Sequence, residues 1–128
     1  MESQRYKIAL QKLREIEGDA ADKALGELES ISPDLARLCI EYPLGDIYSR
    51  PGLDIKKREV ATIAALTVLG NTKPQLAIHI KAALRIGLTR EEILEIILQM
   101  SIFSGFPSAI NATLTVKEVF DSIDTENK

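Results

Sequence analysis

A single cysteine, Cys39, and a single histidine, His79, are all that this chain of 128 residues offers in thiolate or imidazole chemistry. One thiol excludes an internal disulfide, a CxxC redox pair and a thiolate zinc site built within one chain. Equally absent is a basic footprint. Lys and Arg (16) are scattered among Asp and Glu (19), for a net charge of −3, which points away from nucleic acid. No apolar run reaches the roughly 20 residues needed to span a bilayer. The start, "MESQRYKIALQKLREIEG", has no signal-peptide core. The expectation is a soluble cytoplasmic protein. Missing too is any sustained period of two with hairpin chemistry, so the fold class is all-α. With 45% hydrophobic and 27% charged residues the composition is globular, and the length fits one domain, 1–128, around one core.

What is present is a succession of helix signals. The first helix is expected over about residues 3–17, with Ile8, Leu13 and Ile16 on one side and Gly18 at its end. "DAADKALGELES" reads as a weaker helix capped by Asp19. Ser32 with Pro33 is an N-cap followed by proline at the first helical position. "YPLGDIYSRPGLD", with two prolines and two glycines, is the most loop-like stretch. Asp54 then caps "IKKREVATIAALTVLG". From Val60 to Leu69 that helix is apolar nearly all round, the mark of burial on every side. Thr72 with Gln75 forms a capping box ahead of the helix that Gly87 closes, and Thr89 with Glu92 forms another. Gly105 and Pro107 end that second helix. "SAINATLTVKEVFDSI" is the last, before a polar frayed tail. There is no internal repeat, low-complexity tract or linker. So much apolar content in a small chain implies that "VATIAALTVL" and "ILEIILQMSIF" pack against copies of themselves in a homo-oligomer.

His79 sits where a leucine is expected. At about 100° per residue, Gln75, Leu76, Ala82, Ala83 and Ile86 cluster around it while Lys81 and Arg85 project elsewhere. A buried imidazole needs hydrogen-bond partners. A backbone carbonyl is one solution and a functional partner is the other. Glu59 is the second oddity, sharing a face with Ile55, Ile63 and Leu66 where the helix turns apolar. It is either a first-turn glutamate favoured by the helix dipole or, if it meets His79, half of a general acid/base pair.

Weaker candidates surround these two. Arg50 and Arg58 flank "RPGLDIKK", where they either face solvent or clamp a carboxylate through bidentate bonds. Gln99, polar within "EIILQMSIF", suits a hydrogen bond to a ligand or to His79, or a helix–helix contact. Phe106 in "SGFP" belongs to the core and turn, or to a pocket wall.

"GDIYSRPGLDIKKREVATIAALTVLG" and "QLAIHIKAALRIGLTREEILEIILQMSIFSGFPSAINA" together resemble the carboxymuconolactone decarboxylase family, which shares its helical fold with the alkylhydroperoxidase-D-like proteins. The likeness runs from about Gly45 to Phe120, with the RPGLD loop, the histidine helix and the GFP motif in the family's order. It implies a cofactor-free helical protein with no metal, assembled as a homotrimer or homohexamer with pockets near subunit contacts. In the peroxidase branch a CxxC pair precedes the histidine. Thr72 and Gln75 stand there in this chain, which excludes thiol peroxidase chemistry for want of the nucleophile.

The resemblance further implies a decarboxylase acting on a small carboxylated lactone, with His79 and Glu59 as its acid/base pair and Arg50 or Arg58 on a substrate carboxylate. Gln99 and Phe106 fall at candidate pocket positions. The decarboxylase branch tends to carry a small hydroxyl residue in place of Glu59, a histidine in place of Gln99 and a tryptophan in place of Phe106. These differences leave proton transfer on another small carbonyl compound, or a non-catalytic oligomeric binding protein, as alternatives.

Overall fold

The computed structural model describes residues 3–18 and 20–127. Seven α-helices and one π-helical segment make up its regular structure: α1 (Gln4–Glu17), α2 (Ala20–Ile31), α3 (Pro33–Ile40), the π segment (Glu41–Ile47), α4 (Ile55–Leu69), α5 (Lys73–Arg85), α6 (Arg90–Ser104) and α7 (Phe106–Glu126). Among the described residues there is no strand, in line with the all-α expectation. The expected cap Asp19 lies outside the described residues. No helix here is long and apolar enough to cross a membrane. The chain divides into two compact units, Met1–Ile55 and Lys56–Lys128.

In the first unit α1 buries Ala9, Leu13 and Ile16 at helical spacing, whereas Ile8 stays exposed. Ser3 caps α1: its Oγ accepts from the Tyr6 N–H at 3.0 Å and donates to Glu41 Oε2 at 2.8 Å. Gly18 ends the helix at φ 66°, a conformation that favours glycine. Ser32, expected as a side-chain cap, makes no capping bond, and α3 opens with Pro33 alone at its first position.

Part of the expected loop is helical. Residues Glu41–Ile47 form the π segment, in which the Tyr48 N–H reaches back five residues to the Pro43 carbonyl at 2.7 Å. Proline and glycine count against an α-helix here, but packing on α1 outweighs local propensity. Leu44 is buried and Arg5 grips Asp46 at 2.6 Å. Gly45 permits the approach, since a Cβ there would stand 3.0 Å from the Arg5 carbonyl oxygen and 3.3 Å from Ala9 Cβ. Cys39, whose burial would be the ordinary case, is exposed.

The second unit holds a core of Ile63, Leu76, Ile80, Ala83, Ile93, Ile97, Ala112 and Val116, with α7 packed on both α5 and α6. The α4 helix is buried along one stripe only, Glu59–Ile63–Thr67. Ala61, Ala65, Val68 and Leu69 are exposed, so burial on every side does not hold within one chain. Gly70, Gly87 and Gly105 mark the helix ends with φ of 78°, 108° and 84°. Thr89 and Glu92 form the expected capping box. Thr72 and Gln75 do not. The Thr72 hydroxyl donates instead to the Leu66 carbonyl at 2.9 Å, which also accepts the Gly70 N–H at 3.3 Å at the end of α4. At the C-terminus, α7 starts at Phe106 and continues through Glu126, in place of the expected frayed tail.

Candidate functional site

Helical periodicity sets each of the two odd polar residues on the inner face of its own helix, and the packing of α4 and α5 brings them together. Glu59, on the fifth position of α4, lies on the same stripe as Ile63 and Thr67, the stripe that this helix turns to the core. His79 stands among the buried Leu76, Ile80, Ala82 and Ala83 of α5. The Nδ1 atom of His79 is 3.0 Å from Glu59 Oε2, a distance at which the ring N–H donates to the carboxylate oxygen. The partner of the imidazole is thus a carboxylate, where a backbone carbonyl was the simpler expectation. Glu59 lies in the second turn of α4, which rules out the first-turn, dipole-favoured role.

Exposure differs between the partners. The Glu59 side chain is 0% exposed, whereas that of His79 is 26% exposed. Removing a carboxylate from water is costly unless a donor meets it, and His79 is that donor at Oε2. The other oxygen, Oε1, is buried and has no hydrogen-bond partner among the described residues. An arrangement of this kind fixes one imidazole nitrogen by a buried carboxylate while part of the His79 side chain still reaches solvent. Such geometry suits an imidazole that gains and loses a proton at its other nitrogen, Nε2.

The remaining expected residues are placed as follows. Arg58 is half-buried, directly before Glu59, and therefore about 100° around α4 from it. Arg50 is exposed and belongs to the first unit, where its N–H donates to the Ile47 carbonyl at 3.1 Å. Gln99 is exposed on α6, lining a cleft with Val60, Glu91, Glu92, Glu95 and Ile96. Phe106 is 73% exposed and borders an apolar groove with Leu98, Ile110 and Leu114, so a core role does not hold within one chain. Among the described residues no group of three or more His, Cys, Asp or Glu side chains is arranged to hold a metal ion.

Sequence reasoning missed three buried polar residues: Glu41, Thr67 and Thr115. Thr67 carried a signal, since it follows Glu59 by eight residues and repeats its position on the helix face. Glu41 carried none, because its burial depends on Ser3 and on Arg37, whose Nη1 donates to Oε1 at 3.0 Å.

Residues 33–118, from the start of α3 into α7, match the carboxymuconolactone decarboxylase family. The chain belongs to that family. All six candidate positions fall within the matched span, and the all-α fold is the one expected for the carboxymuconolactone decarboxylase type. The 4-carboxymuconolactone decarboxylase of Acinetobacter baylyi is 32% identical over 123 residues, covering 95% of this chain and 91% of that protein. An uncharacterized 15.0 kDa protein of Paracoccus denitrificans, from the nqo9-nqo10 intergenic region, is 37% identical over 100 residues, 77% of this chain and 75% of that one. Nitrosuccinic acid decarboxylase of Metarhizium robertsii is 34% identical over 88 residues, 68% of this chain and 61% of that one.

Proposed function

We propose that the chain is a decarboxylase acting on a small carboxylated lactone of the 4-carboxymuconolactone kind, with His79 and Glu59 as its acid/base pair. The observation that carries this reading is the 3.0 Å contact between a wholly buried carboxylate and a partly open imidazole. Two relatives named as decarboxylases of carboxylic acids support it.

The chemistry follows from what the substrate supplies. When the bond from carbon to the carboxylate breaks, CO2 leaves and the electron pair moves into the conjugated lactone carbonyl as an enolate. No cofactor is needed to hold that pair. The protein must anchor the carboxylate, stabilise the enolate oxygen and return a proton to carbon. Arg58 is the favoured anchor because it adjoins Glu59 in the same unit. His79, protonated, stabilises the enolate or delivers the proton from Nε2. Glu59 holds the Nδ1–H and steadies the positive ring until Nε2 gives its proton to carbon, and water then reprotonates the neutral ring.

The same reading has this protein working as a homotrimer or homohexamer. Ile102 and Phe103 are each 74% exposed on α6, a poor arrangement for a lone chain in water. In such an assembly Gln99 and Phe106 line pockets near the contacts between copies and complete the substrate site.

Release of CO2 from γ-carboxymuconolactone by the purified protein tests the proposal, with His79→Ala and Glu59→Gln as controls. Turnover that disappears in both variants while the oligomer persists is the expected result. A well-folded wild type that releases none overturns it. A second reading, proton transfer on another small carbonyl compound without loss of CO2, is favoured by one observation: Glu59 lies wholly buried beside His79, where an ionised carboxylate would repel a dianionic substrate.

A further inference from the structure

From Ile96 to Val116 the sequence carries no charged side chain, and this stretch forms the end of α6, the Gly105 turn and the first half of α7. The two helices pack on each other. Between them runs a groove of about 430 Å3 whose lining, among the described residues, is uncharged. Leu94 and Leu98 of α6 form one wall, and Phe106, Ile110 and Leu114 of α7 the other. Ile102 continues the Leu98 row by one turn.

These six side chains are between 41% and 74% exposed. At about 200 Å2 for a large side chain standing free, they leave roughly 600–700 Å2 of apolar surface in one patch. A soluble monomer rarely carries a patch above about 600 Å2, and each partner of a standard stable interface buries roughly 800 Å2. With a modest polar rim, the patch has the area of one half of a protein interface.

The surface is also complementary to itself. Leu94, Leu98 and Ile102 follow one another at intervals of four residues and form a ridge along α6, with the groove running beside it. A ridge of this kind packs into such a groove on a second pair of helices, and two hairpins joined in this way make a four-helix bundle. Each copy offers one ridge and one groove, so a two-fold axis fills both at once.

Charge sets the direction. Glu91 and Glu95 are exposed on the ridge side of α6, towards its N-terminus. Parallel docking sets each glutamate against its own copy. Antiparallel docking lays the uncharged ends of α6 over one another and leaves the glutamates at the two outer ends, in water.

We propose that the occupant of this groove is α6 of a second copy, docked antiparallel about a two-fold axis near Leu98 and Ile102. This contact rests on the assembly proposed above and gives it a face, a symmetry and a direction. It requires an even number of copies, so of the homotrimer and the homohexamer only the latter contains it.

Light scattering behind size-exclusion chromatography and cysteine crosslinking of the full chain test the contact. Ile110→Glu, on the α7 wall, is expected to run at half the wild-type mass. In a Cys39→Ser background, Ile102→Cys is expected to join two chains through a short bismaleimide, and Glu91→Cys is not. All three substituted positions are exposed, so none disturbs the core, and circular dichroism checks that each variant is folded. A crosslink through Glu91→Cys in place of Ile102→Cys overturns the direction, and an odd number of copies overturns the two-fold axis. An assembled wild type whose mass survives Ile110→Glu, with no crosslink through Ile102→Cys, overturns this contact and leaves assembly to another face. A monomeric wild type overturns both the contact and the assembly, whereas CO2 release by that monomer would still uphold the decarboxylase.

Discussion

Glu59 and His79, twenty residues apart in the chain, meet at 3.0 Å with the carboxylate wholly buried and the imidazole partly open. Each therefore supports the other's presence in an otherwise apolar stripe. Replacing His79 with alanine leaves the Glu59 carboxylate without its donor and is expected to cost about 1–3 kcal/mol of stability. Glu59→Gln preserves the shape and removes the charge. Both variants should lower turnover by roughly 10²–10⁴ if the pair transfers protons. Urea denaturation reads the first effect and CO2 release the second. Wild-type turnover in both would assign the pair a structural role alone.

Two glycines make opposite predictions. Gly45→Ala puts a methyl group 3.0 Å from the Arg5 carbonyl oxygen, a main-chain atom of α1 that has no room to retreat. A loss of about 1–3 kcal/mol is expected from the overpacking. Gly26 lies inside α2 with nothing within 4 Å of an added Cβ. Gly26→Ala should therefore gain about 0.5–1 kcal/mol through helix propensity. Thermal melts of the two variants, run side by side, check both signs.

The cap of α6 is a local feature with a local cost. Thr89 Oγ1 accepts from the Glu92 N–H at 3.0 Å while Glu92 Oε1 accepts from the Thr89 N–H at 2.9 Å. Thr89→Ala is expected to cost about 1 kcal/mol, read as a lower urea midpoint. Thr89→Ser should restore most of it.

Acid should weaken the fold through two carboxylates. The Arg5 guanidinium, hydrogen-bonded to Asp46, holds that carboxyl below its ordinary value, and the Thr89 N–H does the same for Glu92. A carboxyl depressed in the folded state binds its proton more tightly when unfolded. Its stabilisation is complete above the unfolded pKa, about 4, and drains away as pH falls through the folded value. Urea midpoints between pH 6 and pH 3 should fall less steeply in the Asp46→Asn, Glu92→Gln double variant than in wild type. Equal slopes would mean that these two groups do not control the acid limb.

The proposed assembly, if it runs through α6, gives the remaining prediction. Ile102→Glu places a charge on an apolar face that is 74% exposed in one chain. Light scattering behind size-exclusion chromatography should report a smaller species for this variant than for wild type. An unchanged mass would overturn assembly through α6.

How much of this was legible in the sequence depends on how local each cause is. Gly18, Gly70, Gly87 and Gly105 end helices by the backbone freedom that only glycine has, and the Thr89–Glu92 box closes within four residues, so both were readable. The π segment was not, because the contacts that hold Leu44, Gly45 and Asp46 come from α1, some forty residues earlier. Thr72 looked like a cap, but the carbonyl of Leu66, already bonded by the Gly70 N–H, lay within reach across the turn and accepts its hydroxyl as well. At the site, the misplaced polarity of Glu59 and His79 could be read from helical spacing, whereas their meeting depends on how α4 and α5 pack. The exposed faces of α4 and α6 belong to the same class, since their apolar residues were visible and their surroundings were not.

Cys39 lies on the surface of α3 and is the one thiol in 128 residues. That makes the natural chain its own reporter. A maleimide dye or spin label attaches at a single address in the first unit, with no engineered cysteine and no background from the second. In an assembly of identical copies, each copy carries one such label, so distances between labels read the spacing of symmetry-related α3 helices directly.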